Sequence, residues 1–126
     1  MRTSSEGEAG TPSAELLQWS VVRSNAEVVV FLAGAVDMST ADGLGDALAA
    51  IVADRPPIVA LDVADVSFLD SSGIKCLLTA ATSATETGEC RVVVRRPTRA
   101  IERVFSICGV AELLLDGFGG DAAGDR

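Results

Sequence analysis

Ile58-Val59-Ala60-Leu61-Asp62-Val63-Ala64-Asp65-Val66-Ser67-Phe68-Leu69-Asp70-Ser71-Ser72-Gly73-Ile74 is the stretch that decides the fold. Its first six residues form a nearly all-apolar run straight after Pro56-Pro57, the pattern of a strand covered on both faces and hence central to a sheet. Beyond Asp70-Ser71-Ser72-Gly73, residues Ile74, Leu77, Leu78 and Ala81 fall on one face of a helix that ends near Gly88. The stretch therefore reads as strand, turn and helix, with the serines at the helix start.

Working outward, Leu16–Val22 and Glu27–Ala33 are rich in apolar and β-branched residues, and Arg23-Ser24-Asn25-Ala26 between them makes a hairpin. Ser39-Thr40 followed by Asp42 opens a helix whose Leu44, Leu48, Ile51 and Val52 recur at helical spacing. It ends before Pro56-Pro57, and Gly43 and Gly45 weaken it by roughly 1 kcal/mol each relative to Ala. Downstream, Arg91–Arg95 is a strand, and Pro97-Thr98 opens a third helix with Ile101, Val104, Phe105 and Cys108 facing inward. Gly109 is suited to terminate that helix, and Glu112–Leu115 is expected to close the sheet as a short last strand. The order ββαβαβαβ gives an α/β fold, a mixed four- to five-stranded β-sheet with helices packed on it. Residues 15–117 form the domain, and 1–14 and 118–126, poor in apolar periodicity, read as flexible tails.

The chain has 126 residues, 48% of them hydrophobic, which suits a single domain with its own core. A formal net charge of -8 opposes binding to a phosphate backbone, so no direct nucleic-acid partner is expected. The N-terminal residues are polar, without the apolar stretch of a signal peptide, and the longest apolar run, Val28–Val36, is far short of the ~20 residues that span a membrane. These features predict a cytoplasmic chain that does not enter the membrane.

Histidine is absent, which removes Ser-His-Asp and Cys-His nucleophile arrangements together with the commonest metal ligand. There is no phosphate-binding glycine motif, because Gly43-Leu44-Gly45 lies inside a helix and lacks a third glycine. Cys76, Cys90 and Cys108 are too scattered for a disulfide framework or a zinc site, so they read as reduced thiols. Asp37, Asp62, Asp65 and Asp70 all lie near expected element ends, where such residues cap helices and solvate turns. No enzymatic activity, cofactor or metal is expected.

Ser71-Ser72-Gly73 sits where helix amides are unpaired and the helix dipole favours negative charge, so a phosphate added there is tolerated locally. By itself the tetrapeptide reads first as a capped helix start, with Asp70 or a serine as the cap and Gly73 easing a tight turn. Its surroundings add more. Val63 through Ile74 resembles the signature of the anti-sigma factor antagonist family, the STAS domain. Leu32-Ala33-Gly34-Ala35-Val36-Asp37-Met38-Ser39-Thr40-Ala41 resembles that family's strand ending in Gly-x-x-Asp, and Arg96-Pro97-Thr98 through Gly109-Val110 resembles its last helix and turn.

The resemblance implies that Ser71 is the phosphorylation site, with Ser72 its neighbour and Asp70 and Asp37 its flanking acids. It also implies a switching cycle. The unmodified domain binds an anti-sigma factor with a serine-kinase, ATP-binding domain and frees the sigma factor; the kinase phosphorylates Ser71 and ends binding; a serine phosphatase resets the domain. The expected partner-binding residues are Asp37, Ser39, Thr40, Asp70, Ser71, Ser72, Gly73, Cys76 and Thr79. Cys76 and Thr79 belong to a stripe of small residues, Ser72, Cys76, Thr79 and Ser83, placed on the second helix opposite its core side. Cys76, one turn from the helix N-terminus, is expected to have a lowered pKa, and modification of Cys76, or its pairing with another cysteine such as Cys108, is a redox alternative. Two further readings are a STAS scaffold, or subunit of a transport or signalling complex, without phosphorylation, and a small-molecule or enzymatic domain using the crevice near Asp37 and Asp70.

Overall fold

The computed structural model describes residues 17–114. Strands β1 (Gln18–Arg23) and β2 (Val28–Val36) are followed by α1 (Ala41–Ala53), β3 (Ile58–Leu69), α2 (Ser71–Thr87), β4 (Arg91–Arg95), α3 (Arg99–Cys108) and α4 (Ala111–Leu114). The expected hairpin is present: β1 runs antiparallel to β2, and the Ser24 amide bonds the Glu27 carbonyl at 2.9 Å to close the turn. The sheet order is β1-β2-β3-β4, with β2, β3 and β4 mutually parallel. Parallel pairing brings the C-terminal ends of β2 and β3 to one edge, where α1 and α2 begin.

Alternation along the strands separates two faces. Val28, Val30, Leu32 and Val36 of β2, Val59, Leu61, Val63 and Val66 of β3, and Val92 and Val94 of β4 join residues of all four helices in one core cluster. Leu44, Leu48 and Ile51 come from α1, Ile74 and Leu77 from α2, and Phe105 from α3. The other face carries Val22, Phe31 and Phe68, all exposed, together with the ion pair between Arg95 and Glu27 at 2.9 Å.

Several expectations need correction. Glu112–Leu115 was expected to be a strand, yet Ala111–Leu114 is a turn of helix whose Ala111 and Leu114 join the core. Four residues are too few for periodicity to separate the two, and the sheet among the described residues has four strands. The central strand runs six residues past Val63 to Leu69, because register shifts between Phe31/Ala33 and Gly34/Ala35 let β3 stay paired with β2 past its polar residues. Asp62 and Asp65 therefore lie within β3 rather than at its end. Asp62 is buried, and its carboxylate accepts from Arg96 Nε at 2.7 Å and from the Ala64 amide at 3.1 Å, which satisfies a charge that would otherwise be costly to bury. Cys108, expected to face inward, is exposed at the last position of α3, where Gly109 takes φ 75° and turns the chain away. The inner face of α2 is Gly73, Ile74, Leu77, Ala80 and Ala84, with Leu78 and Ala81 half-buried at its margin. The tails expected at 1–14 and 118–126, and the domain limits at 15 and 117, fall outside the described residues.

Candidate functional site

Val36 and Leu69 are paired at the ends of β2 and β3, and the Asp70 amide extends the ladder to the Val36 carbonyl at 3.2 Å. Asp37 and Asp70 thus leave the sheet side by side, in the crevice outside the carboxyl ends of parallel strands where open α/β sheets present their sites.

Asp70 is the N-cap of α2. Its backbone is extended, with φ -105° and ψ -172°; its Oδ1 accepts from the Gly73 amide at 3.0 Å and its carbonyl from the Ile74 amide at 3.0 Å. This arrangement stabilises a helix start by about 1 kcal/mol. Gly73 is required by close approach rather than by a tight turn. A Cβ there would lie 2.7 Å from the Val36 carbonyl oxygen, 2.8 Å from Val36 Cγ1 and 2.5 Å from Leu69 Cδ1, so α2 is seated directly on the strand ends.

With the cap and the glycine holding the helix, Ser71 is left exposed as its first residue, and its hydroxyl makes no hydrogen bond among the described residues. The amides of Ser71 and Ser72 have no intrahelical acceptor and are available to an anion. Ser72 is half-buried beside it.

Asp37 organises the other side of the crevice. Its Oδ1 accepts from the Ser39 hydroxyl at 2.7 Å and from the Ser39 amide at 2.9 Å. Thr40 Oγ1 donates to the Ala35 carbonyl at 2.9 Å and accepts from the Asp37 amide at 3.0 Å, while the Asp37 carbonyl takes the Ala41 amide at 2.8 Å. The Ser39 hydroxyl, aided by the amides of Ser39 and Thr40, holds the Asp37 carboxyl below the usual carboxylate range despite an opposing effect of desolvation. It is a carboxylate at neutral pH.

Of the expected partner-binding residues, Asp37, Ser39, Thr40, Asp70, Ser71, Ser72 and Gly73 gather at this end of the sheet. Cys76 and Thr79 continue along α2 and line a groove of about 670 Å³ between α1 and α2, faced by Asp42 and Gly45. The small-residue stripe is thus partly engaged within the molecule. Cys76 is half-buried there, its Sγ donating to the Ala41 carbonyl at 3.5 Å. Burial, reinforced by the charge of Asp42, pushes its pKa up, against the expected lowering, so a reactive thiolate is disfavoured. Burial likewise raises Cys90. Among the described residues no cluster of His, Cys, Asp and Glu could hold a metal ion, and no helix is long and apolar enough to cross a membrane.

Two residues escaped the sequence reading. Met38, 78% exposed in the loop before α1, lines the groove beside Ser72, and Phe68, 52% exposed, lies on the sheet face opposite the described helices, two residues before Asp70. Isolated apolar residues in a loop and at a strand end carry no periodic signal.

The chain is similar to several known proteins. The anti-sigma-F factor antagonist RsfB of Mycobacterium tuberculosis is 39% identical over 64 residues, covering 51% of this chain and 51% of that protein, so the match spans about half the length of that curated relative. A crystal structure of an anti-sigma factor antagonist from Mycobacterium paratuberculosis superposes with a TM-score of 0.69 at 29% identity, covering 88% of this chain and 94% of that one. The antagonist SpoIIAA in its unphosphorylated form shares the fold, with a TM-score of 0.68 at 17% identity over 84% of this chain and 93% of its own. The family model described as Mlab, STAS domain, matches residues 19–116, and the chain belongs to the STAS domain family.

Proposed function

We propose that this chain is an anti-sigma factor antagonist whose binding is switched by phosphorylation of Ser71. The observation that carries the reading is the exposed Ser71 hydroxyl, without a hydrogen bond among the described residues, at the first position of a helix whose capping is done by Asp70. The names of its relatives, RsfB and the Mycobacterium paratuberculosis antagonist, support the same role. In this reading the unmodified domain presents the Asp37–Ser71 end and the adjoining α2 face to a cytoplasmic anti-sigma factor with a serine-kinase, ATP-binding domain. The domain is the substrate of that kinase and does no catalysis itself.

Transfer of a phosphoryl group to Ser71 adds about -1.5 to -2 charges at neutral pH. The amides of Ser71 and Ser72 stabilise it locally, so the fold survives. In a docked complex the same group must be desolvated beside the Asp37 and Asp70 carboxylates. A loss of ~3 kcal/mol weakens a complex more than a hundredfold, enough for a switch. A serine phosphatase completes the cycle.

Incubation with serine-kinase-type anti-sigma factors and ATP, followed by mass mapping, tests this. Phosphate on Ser71, lost in Ser71→Ala, together with release of the kinase from the phosphorylated domain, is expected. Binding without any transfer would favour a scaffold role.

A further inference from the structure

The outer edge of β1 is the least protected part of the sheet. All six of its residues, Gln18-Trp19-Ser20-Val21-Val22-Arg23, are exposed, and among the described residues no strand pairs with its far side. Edge strands are ordinarily blunted by proline, bulges or central charge, and this one has none: its pairing with β2 is continuous from Gln18 to Arg23, and its charge is at one end.

The hairpin geometry fixes which backbone groups face outward. Ser24 and Glu27 exchange a hydrogen bond across the turn, so Val22 and Ser20, at even offsets, also point their N–H and C=O groups at β2. Trp19, Val21 and Arg23 therefore direct theirs away from the sheet.

We propose that this edge pairs antiparallel with β1 of a second copy, about a two-fold axis at Val21, forming a continuous eight-stranded sheet. An axis normal to the sheet keeps each face on its own side. Val21 then opposes Val21, and Trp19 opposes Arg23 of the second copy, so all three outward residues are hydrogen-bonded on each chain. The side chains that meet suit the pairing. Trp19 is 39% and Val21 38% exposed on the helix side, the indole can stack against the facing guanidinium, and Val22 packs against Ser20 on the open face. What favours a copy of this chain is the twice-repeated facing of an aromatic, Trp19, and a cation, Arg23, on either side of the apolar Val21 pair. The two Ser71 ends would point in opposite directions, each free for its own partner. Each chain carries a net charge of -8, so long-range repulsion opposes the dimer and added salt strengthens it.

Sedimentation equilibrium of the full chain across concentration and salt tests this, with Val21→Pro as the decisive variant. The Val21 N–H faces outward, so proline there removes no bond to β2 and is tolerated on an edge. Val21→Lys provides a second, fold-preserving block. A dimer that tightens with salt and becomes monomeric in both variants is expected, as is an intermolecular disulfide between the thiols introduced by Val21→Cys in oxidant. A chain that stays monomeric up to ~1 mM overturns the proposal, whether its own N-terminal residues or nothing at all lie on the edge. A dimer indifferent to both substitutions overturns it equally.

Discussion

The starts of α1 and α2 are built from nearly the same letters and do different things with them. Each follows the end of a parallel strand, each has an aspartate as the first residue past the paired Val36 and Leu69, and each has a serine within two residues of that aspartate. At α2 the Asp70 carboxylate takes the Gly73 amide, and the Ser71 hydroxyl has no hydrogen bond among the described residues. At α1 the Asp37 carboxylate takes the Ser39 hydroxyl at 2.7 Å, and α1 has no side-chain cap. Both carboxylates take a backbone amide, Gly73 for Asp70 and Ser39 for Asp37, but Asp37 also takes the hydroxyl of its serine. The difference favours Ser71 over Ser39, which is also exposed, as the proposed acceptor.

The largest test of that contrast concerns how firmly each helix is seated. Gly73→Ala places a Cβ against the Val36 carbonyl and should destabilise the domain by ~2 kcal/mol or more. Gly45→Ala on α1 meets only the Cys76 sulfur at an ordinary 3.7 Å and should be neutral or gain up to ~1 kcal/mol. Denaturant melts of the two variants compare them directly; equal effects would mean that α2 is no more tightly seated than α1.

A smaller effect is expected at the cap. Asp70→Ala should lose ~1 kcal/mol, most of it recovered in Asp70→Asn, whose side-chain oxygen still accepts from Gly73. No recovery with asparagine would assign the effect to charge instead of to the hydrogen bond.

The Asp37 carboxyl supplies a pH test. Its folded pKa is depressed, so its contribution to stability is present above the unfolded carboxylate value and is lost as pH falls through the folded value. Ser39→Ala removes the largest cause of the depression and should move the Asp37 titration, followed by NMR, upward toward an ordinary aspartate. The smallest expected change is in stability on Ser71→Ala, within about 0.5 kcal/mol because the side chain is exposed and unbonded. The same variant should abolish phosphate uptake, whereas Ser39→Ala should leave it intact; phosphorylation of Ser39 would undo the comparison.

The capped start of α2 was more legible in the sequence than the elements around it. Asp70-Ser71-Ser72-Gly73 is contiguous, and helix capping acts over three residues, so local spacing sufficed for the cap, whereas the role of Ser71 rests on the resemblance of the surrounding stretches. The reason for Gly73 did not show, because the atoms that exclude a Cβ belong to Val36 and Leu69. Cys76 and its small neighbours read as outward-facing because the helical wheel of α2 cannot reveal that α1 lies alongside. β3 was cut short at Val63 because Asp65 and Ser67 interrupt its apolar run, and only pairing with β2 shows that the strand continues.

Those interruptions carry a consequence of phase. Odd-numbered residues of β3 point into the core through Val63; after the first register shift the buried residue is the even-numbered Val66; after the second, Leu69 is again on the helix side, beneath Gly73. Each irregularity places one extra residue in β3 while β2 keeps its plain alternation through Leu32, Gly34 and Val36, so the two strands reach their ends in phase. Deleting Ala64 or Ser67 would remove one irregularity and leave Val66, Leu69 and the start of α2 on the side they occupy now. The extra residues are slack that the strand can lose without carrying Ser71 to another face.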